Sequence, residues 1–224
     1  MQFHIPADTI KALLVIAAKS DIRHYLNSMC IDVRATDAVA VATDGHKLLA
    51  LPLTVTDDAP ALVPGCYIIR REALEGVKAV LKRPILVTID PTTRTATIDN
   101  GNAATTTPLM DDKYPDWRRV VPLAVSGEVS QFNAEYVGAF GKVHKLLGGA
   151  YSPSIRHNGD NAARVILPGD AVGVLMPMRG DPQPLDNPSW LVPPSAIEPA
   201  EVPEPAEVPE PAEVAEPAEV AEVA

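Results

Sequence analysis

The residues best suited to acid–base chemistry are Asp44 and His46, which flank Gly45. A carboxylate beside an imidazole could assist hydrolysis, but an enzyme also needs a third group and a site for the electrophile, and the sequence supplies neither. Asp-Gly between two apolar runs is a strong hairpin signal, because glycine tolerates positive φ. We therefore interpret these residues as a turn. A hydrolase that uses Asp44 and His46 is kept as an alternative hypothesis.

Metal and thiol chemistry have little support in the sequence. The five histidines show no i, i+4 pair or other metal-ligand spacing, so no metal or other cofactor is expected. Cys30 and Cys66 are too few and too far apart for a disulfide framework or a zinc site. Each lies in an apolar, strand-like run, which predicts a buried free thiol.

The negative charge is concentrated at the C-terminal end. Nine glutamates recur at every third residue over 198–222, with no lysine or arginine among them. Outside that segment, 20 acidic residues face 19 basic ones, so the net charge of −10 belongs almost wholly to the tail. Because this proline-rich, acidic composition cannot bury enough apolar surface to fold, we expect residues 181–224 to be disordered.

The chain shows no signal for export or membrane insertion. Its first residues lack the charged start and long apolar core of a signal peptide. No apolar run approaches the roughly 20 residues that a spanning helix needs. We expect a soluble, cytoplasmic protein that does not engage a membrane.

Three similar units organise the first 180 residues at a spacing of roughly 60 residues, each with a strand, a helix and three further strands. The first is predicted to have strands at 2–5, 26–34, 38–43 and 47–53 and a helix opening at Pro6. The second is predicted to have strands at 65–69, 85–90, 93–99 and 103–109 and a helix at 71–83. The third is predicted to have strands at 128–132, 154–157, 163–167 and 171–176 and a helix that follows Asn133 as its N-cap. The class is α+β, with each helix expected to be buried on its own sheet.

Four sequence blocks give the chain a family resemblance. They are residues 21–27, 41–48 and 114–120, together with the C-terminal Met176-Pro177-Met178-Arg179. In this order, on this repeat plan, they resemble the bacterial sliding clamp, the beta subunit of DNA polymerase III. Residues 1–124 resemble the middle domain of that family, which has two units, and residues 125–180 resemble the second half of its third domain.

The resemblance implies a DNA clamp fold, with helices on one face and antiparallel sheets on the other. It also implies a non-catalytic processivity factor of DNA replication, in a family whose members encircle duplex DNA and bind peptides of polymerases and the clamp loader. Such a chain would contact DNA weakly and without sequence preference, and would be a possible homo-oligomer. The alternative is a peptide-binding module or competitor that keeps the pocket and does not encircle DNA.

The same resemblance identifies candidate site residues. The family's peptide pocket would comprise Arg23, Leu26, Thr43, Gly45, His46, Lys47, Leu48, Pro115, Arg119, Val120, Val174, Leu175, Met176, Pro177, Met178 and Arg179. The cations expected to face DNA phosphates from the helices are Lys11, Lys19, Arg71, Lys78, Lys82, Arg83, Lys142 and Lys145. Lys47 stands where the family more usually has arginine, so it keeps the charge without the planar fork.

The tail also carries a loose match to the peptides that clamps bind. Residues 183–186 read Gln-Pro-Leu-Asp and are followed by Trp190 and Leu191, which is similar to a Gln-x-Leu element plus an apolar pair. Because a short tether gives a high effective concentration, the tail could occupy the chain's own pocket.

Overall fold

The computed structural model describes residues 1–55, 62–77 and 83–180, and Trp190. Lys78 and Lys82 lie outside the described residues, as does the tail apart from Trp190. The expectations for those two lysines, for the disordered tail and for its self-docking therefore concern residues that the structure does not describe. Among the described residues, no helix is long and apolar enough to cross a membrane.

The first unit follows its sequence pattern closely. Its elements are β1 (Gln2–Ile5), α1 (Ala7–Ile16), a 3-10 turn (His24–Leu26), β2 (Ser28–Val33), β3 (Ala38–Thr43) and β4 (Lys47–Leu53). Pro6 precedes the helix with its fixed φ, and Asp8 lies in the first turn, where the helix dipole favours an acid. Ile10, Leu13 and Ile16 are buried, as the apolar face of the helix requires.

The second unit has a shorter helix than predicted within the described residues. Its elements are β5 (Gly65–Arg70), α2 (Arg71–Glu75), β6 (Ile85–Asp90), β7 (Thr95–Asp99) and β8 (Ala104–Pro108), followed by a 3-10 turn (Trp117–Val120). Gly76 takes the C-cap position, and Arg83, the predicted last residue, lies in no helix. The helix prediction was thus too long at Arg83, which directly precedes Pro84 and is disfavoured in the α conformation.

The third unit contains α3 (Ala134–Leu146), β9 (Ser154–Arg156), β10 (Ala163–Ile166) and β11 (Val172–Leu175). Asn133 caps the helix as predicted, because its Oδ1 accepts from the backbone N–H of Glu135 at 2.8 Å. The helix packs against α1, with Phe140 and Val143 buried in the shared core.

The strands form two antiparallel sheets. The opening strand of each of the first two units lies in the sheet of the other unit. One sheet has the order β1-β6-β7-β8 and the other β5-β2-β3-β4-β11-β10-β9. β1 therefore pairs with the second unit, and β5 pairs with the first. This exchange of opening strands was not predicted from the repeat plan. The helix α1 nevertheless packs on β2, β3 and β4 of its own unit, as expected. The pairing of β4 with β11 joins residues 1–124 to residues 125–180.

The predicted strand at 128–132 is also wrong. In the first two units an opening strand pairs with the first strand of the other unit's meander, and no such partner for 128–132 exists among the described residues. Its polar groups bond to a loop instead. Ser130 N donates to Nδ1 of His157 at 3.0 Å, and Gly159 N donates to the carbonyl of Glu128 at 2.9 Å.

The seven-stranded sheet is covered on both faces. The helices and β1 cover one face with a large apolar core, and a smaller cluster that includes Tyr114 and Trp117 covers the other. Because side chains alternate along a strand, Val174 faces the smaller cluster and Leu175 the larger one. Cys30 is buried as predicted, whereas Cys66 is exposed, because β5 is the edge strand and its outer face is only partly covered.

Candidate peptide-binding pocket

A cavity of about 270 Å³ opens on the outer face of the seven-stranded sheet. It is bounded by residues of three separate stretches of chain, namely 23–26, 43–48 and 115–120, and by the end of β11. The lining residues are Arg23, Tyr25, Leu26, Thr43, Gly45, His46, Lys47, Leu48, Pro115, Asp116, Trp117, Val120, Val174 and Met176. The structure thus brings together eleven of the sixteen residues predicted to form a pocket.

The floor of the cavity is apolar because of the register between β4 and β11. Leu48 pairs directly with Val174, so both side chains project from the same face of the sheet. Both are buried, as is Leu26 in the adjacent 3-10 turn. Val120 and Met176 remain 45% and 38% exposed at the edge of the cavity. The site therefore offers a preformed apolar floor with two accessible apolar side chains beside it.

The β3–β4 hairpin supplies one wall, and its polar groups hold the turn. Oδ1 of Asp44 accepts from the N–H groups of His46 and Lys47, each at 2.9 Å, and its other oxygen forms an ion pair with Lys47. Gly45 adopts a φ of +93°, which glycine permits. The ring of His46 stacks on Tyr136, with 5.6 Å between ring centroids. This geometry does not support the hydrolase hypothesis, because Asp44 holds the turn and His46 stacks on Tyr136.

Arg23 places a positive charge at the rim. Its backbone N–H, Nε and Nη2 donate to the carboxylate of Asp21 at 2.8, 3.0 and 2.9 Å. The bonds from the Arg23 side chain, followed by the one from its backbone, lower the pKa of Asp21 to about 2, and the side-chain bonds raise the pKa of Arg23. A Cβ atom at Gly45 would lie 3.2 Å from Nη2 of Arg23, so the guanidinium extends over the hairpin.

Three residues that line the cavity were missed in the sequence, namely Tyr25, Asp116 and Trp117. Trp117 is held by Asp32, whose Oδ2 accepts from Nε1 at 2.9 Å. Arg118 stacks on the indole, 4.2 Å from the ring centroid, and forms an ion pair with the same carboxylate. Asp32, the one charged residue in the buried strand β2, was the signal for such a partner.

Five predicted pocket residues do not line the cavity. Leu175 lies in the core on the helix side, because strand alternation turns it away from Val174. Arg119 lines a neighbouring cavity instead. The chain leaves the sheet after β11, and Met178 N donates instead to the carbonyl of Gln131 at 2.8 Å. Beyond that strand the direction of the chain carries three more residues away from the cavity, namely Pro177, Met178 and Arg179.

The predicted DNA-facing cations have different environments. Lys11, Lys19 and Lys142 converge on a cleft between α1 and α3. Arg71 also lines this cleft, and its Nη1 donates to the carbonyls of Leu14, Ala17 and Ala18 at 2.8, 3.2 and 3.3 Å. Because these carbonyls end α1 without helical partners, Arg71 acts as a buried cap.

The other two described cations lie outside that cleft. Arg83 lies beside Gly101 at the β7–β8 turn and belongs to none of the helices of the described residues. Lys145 is exposed on α3 but does not line the cleft. Among the described residues, no group of three or more His, Cys, Asp or Glu side chains is arranged to hold a metal ion.

Comparison with known proteins identifies the family to which the chain belongs. The model of the DNA polymerase III beta subunit, central domain, matches residues 4–116. The beta sliding clamp of Escherichia coli K12 is 29% identical over 129 residues, covering 54% of this chain and 34% of the relative. The Vibrio cholerae beta sliding clamp is 29% identical over 154 residues, covering 66% of this chain and 40% of the relative. This chain therefore spans well under half the length of these relatives.

Solved structures share the fold. The DNA polymerase III subunit beta of Pseudomonas aeruginosa matches with a TM-score of 0.59 at 19% identity, covering 80% of this chain and 66% of that one. The Caulobacter crescentus beta subunit matches with a TM-score of 0.58 over 80% of this chain and 66% of that chain, at 17% identity. The α+β class and the DNA clamp fold predicted from the sequence are confirmed. Since the central-domain model matches half of the chain, the chain belongs to the DNA polymerase III beta subunit, or bacterial sliding clamp, family.

Proposed function

We propose that this chain is a non-catalytic clamp protein of DNA replication that binds short apolar peptides of DNA polymerases and clamp loaders. The observation that carries the proposal is the cavity of about 270 Å³, around which eleven of the predicted pocket residues lie. Its apolar floor and few polar groups fit a site that buries one or two apolar side chains. Its expected location, the cytoplasm, stays a prediction.

The floor of the pocket offers apolar contacts to a peptide, and the rim offers a hydrogen-bond donor. Leu26, Leu48 and Val174 form a rigid floor that can accept a leucine-sized side chain. Met176 can adapt to the incoming peptide because its side chain is flexible and polarizable. Arg23 can donate to a peptide carbonyl or carboxylate at the rim. Peptides with an apolar anchor next to a polar residue should therefore bind best.

A matched pair of valine substitutions tests this proposal. Val120 lines the cavity and Val63 does not, although the two are 45% and 46% exposed. A charge introduced by Val120→Asp should cost several-fold or more in affinity for a labelled Gln-x-Leu peptide, measured by fluorescence anisotropy, because the carboxylate would be desolvated on binding. Val63→Asp is the control. Equal effects of the two substitutions would refute binding at this cavity.

The lysine-lined cleft favours DNA binding as a second role. Lys11 and Lys142 lie on α1 and α3, which pack together, and Lys19 lies just beyond the end of α1. Lys11 already forms an ion pair with Asp8 at 2.8 Å. Removing one lysine that neutralises a DNA phosphate should reduce the dependence of log affinity on log salt by about 0.9. Lys142→Gln should have this effect, and Lys113→Gln, which lies outside this cleft, should not.

Whether the chain encircles DNA separates the two forms of the proposal. A clamp that closes a ring should sediment as an oligomer and remain on circular DNA until that DNA is cut. A peptide-binding module or competitor should sediment as a monomer, bind the peptide and leave circular and linear DNA equally. The first result would support the ring, and the second the alternative.

A further inference from the structure

The two cysteines lie next to each other on neighbouring antiparallel strands. Cys30 of β2 is paired with Ile68 of β5, and Asp32 of β2 is paired with Cys66. The cysteines are thus diagonal neighbours whose side chains project from the same face of the sheet. Cys30 is buried and Cys66 is exposed, and each thiol shifts the pKa of the other.

We infer that Cys30 and Cys66 form a redox-active dithiol, in which hydrogen peroxide oxidises Cys66 and Cys30 then closes an intramolecular disulfide. The inference concerns a site separate from the peptide pocket and stands whether or not the chain binds peptides. It rests on the adjacency of the two thiols, on the access of solvent to one of them, and on the burial of the other.

The surroundings of the pair decide which sulfur reacts first. The interaction with the Cys30 thiol lowers the pKa of Cys66, and the nearby Arg118 acts in the same direction, while burial and Asp32 oppose them. The same interaction, together with burial, raises the pKa of Cys30. The thiolate is the reactive form of cysteine, so the exposed Cys66 is the nucleophile and Cys30 is kept as a thiol.

Each step balances in atoms and electrons. The Cys66 thiolate attacks one oxygen of hydrogen peroxide, the O–O bond breaks, and hydroxide leaves and takes up a proton to become water. Cys66 is then a sulfenic acid. The sulfur of Cys30 attacks the sulfur of that group, the S–O bond breaks, and the proton of Cys30 leaves with the hydroxyl group as a second water molecule.

The position of β5 in the sheet permits closure. Diagonal neighbours are about 7–8 Å apart between Cα atoms, and a disulfide usually needs about 4.4–6.8 Å, so the strands must approach by about 1 Å. Within the described residues β5 pairs only with β2, so it is an edge strand that can shift. A bond that requires such a shift is strained and is therefore easily reduced by thiols.

Peptide mapping of the full chain tests the inference. The protein is treated with hydrogen peroxide at low excess, its remaining thiols are alkylated, and it is digested with trypsin without reductant. The cysteines fall in separate tryptic peptides, residues 24–34 and 48–70. The expected product is these two peptides joined, lighter than their sum by two hydrogen atoms, and separated again by dithiothreitol.

Two variants assign the roles. Cys30→Ala should accumulate a sulfenic acid on Cys66 that dimedone traps, because the resolving thiol is missing. Cys66→Ala should leave Cys30 reduced, because peroxide does not reach the buried sulfur. Circular dichroism confirms that each variant is folded, and the mapping of the wild type does not depend on either. Oxidation of Cys66 beyond the sulfenic state with Cys30 still free, or disulfides only between copies, would overturn the inference.

Discussion

Replacing Met176 by alanine should weaken peptide binding by an amount that follows from its exposure. Met176 lines the cavity and is 38% exposed without a peptide. Full burial of a methionine side chain stabilises by about 1.5–3 kcal/mol, so burying the remaining exposed part is worth about 0.6–1.1 kcal/mol. Since 1.4 kcal/mol corresponds to a factor of ten, Kd should rise about three- to sixfold.

Met178 provides the control for this prediction. It follows the same strand and is 53% exposed, but it does not line the cavity. Met178→Ala should change Kd by less than about twofold, since surface substitutions usually act within about 0.5 kcal/mol. Anisotropy titration of a Gln-x-Leu peptide measures both variants. Equal losses, or an unchanged Kd for Met176→Ala, would refute the assignment of the pocket wall.

Four further substitutions test contacts elsewhere in the fold. Gly173→Ala should lower the free energy of unfolding in urea by about 1–3 kcal/mol, because its Cβ would lie 2.8 Å from a β10 side chain and 2.9 Å from one of α3. Gly138→Ala, with nothing within 4 Å, should raise it by about 0.5–1 kcal/mol. Arg23→Gln should raise the pKa of Asp21 from about 2 toward its ordinary value, measured by NMR of the carboxyl carbon. Because the pKa of Asp21 is lower in the folded state, its ion pair with Arg23 stabilises the fold above about pH 4, and this stabilisation is lost as the pH falls through 2. An unchanged pKa of Asp21 in Arg23→Gln would contradict the assigned cause. Arg71→Met should lower the thermal midpoint and the free energy of unfolding, the latter by about 1.5–3 kcal/mol, because the last carbonyls of α1 lose a charged donor. An unaltered midpoint would mean that water replaces the guanidinium.

Local patterns in the sequence predicted most of the elements. The spacing of Ile10 and Leu13 predicted the buried face of α1, and Asp44-Gly45 predicted the β3–β4 turn. Asn133 predicted the start of α3. These features depend on residues a few positions apart, for which periodicity and turn chemistry are informative.

Long-range pairing could not be predicted from the same patterns. The exchange of β1 and β5 between units leaves no trace in their own composition, because either partner would bury the same apolar face. The segment 128–132 takes the place of an opening strand in the repeat plan but has no partner strand among the described residues. A strand pattern states what a segment can pair with, and the rest of the chain decides whether a partner is present.

The side chains at the site show the same limit. Arg71 falls on a stripe of cations in the sequence, yet the end of α1, more than 50 residues earlier, turns it inward. Trp117 lines the pocket because it bonds to Asp32, 85 residues away in the chain. The resemblance placed the four blocks together, but only the register of β4 on β11 separates Val174, which faces the cavity, from Leu175, which does not.

The central claim, that the cavity binds an apolar peptide, is tested most directly by methionine-methyl NMR. The chain has five methionines, at positions 1, 29, 110, 176 and 178, so a sample labelled at the methyl carbon gives five signals. Titration with the Gln-x-Leu peptide should shift the Met176 signal most and saturably, and leave Met1 and Met29, in the helix-side core, in place. Saturating binding without a shift at Met176 would contradict the account.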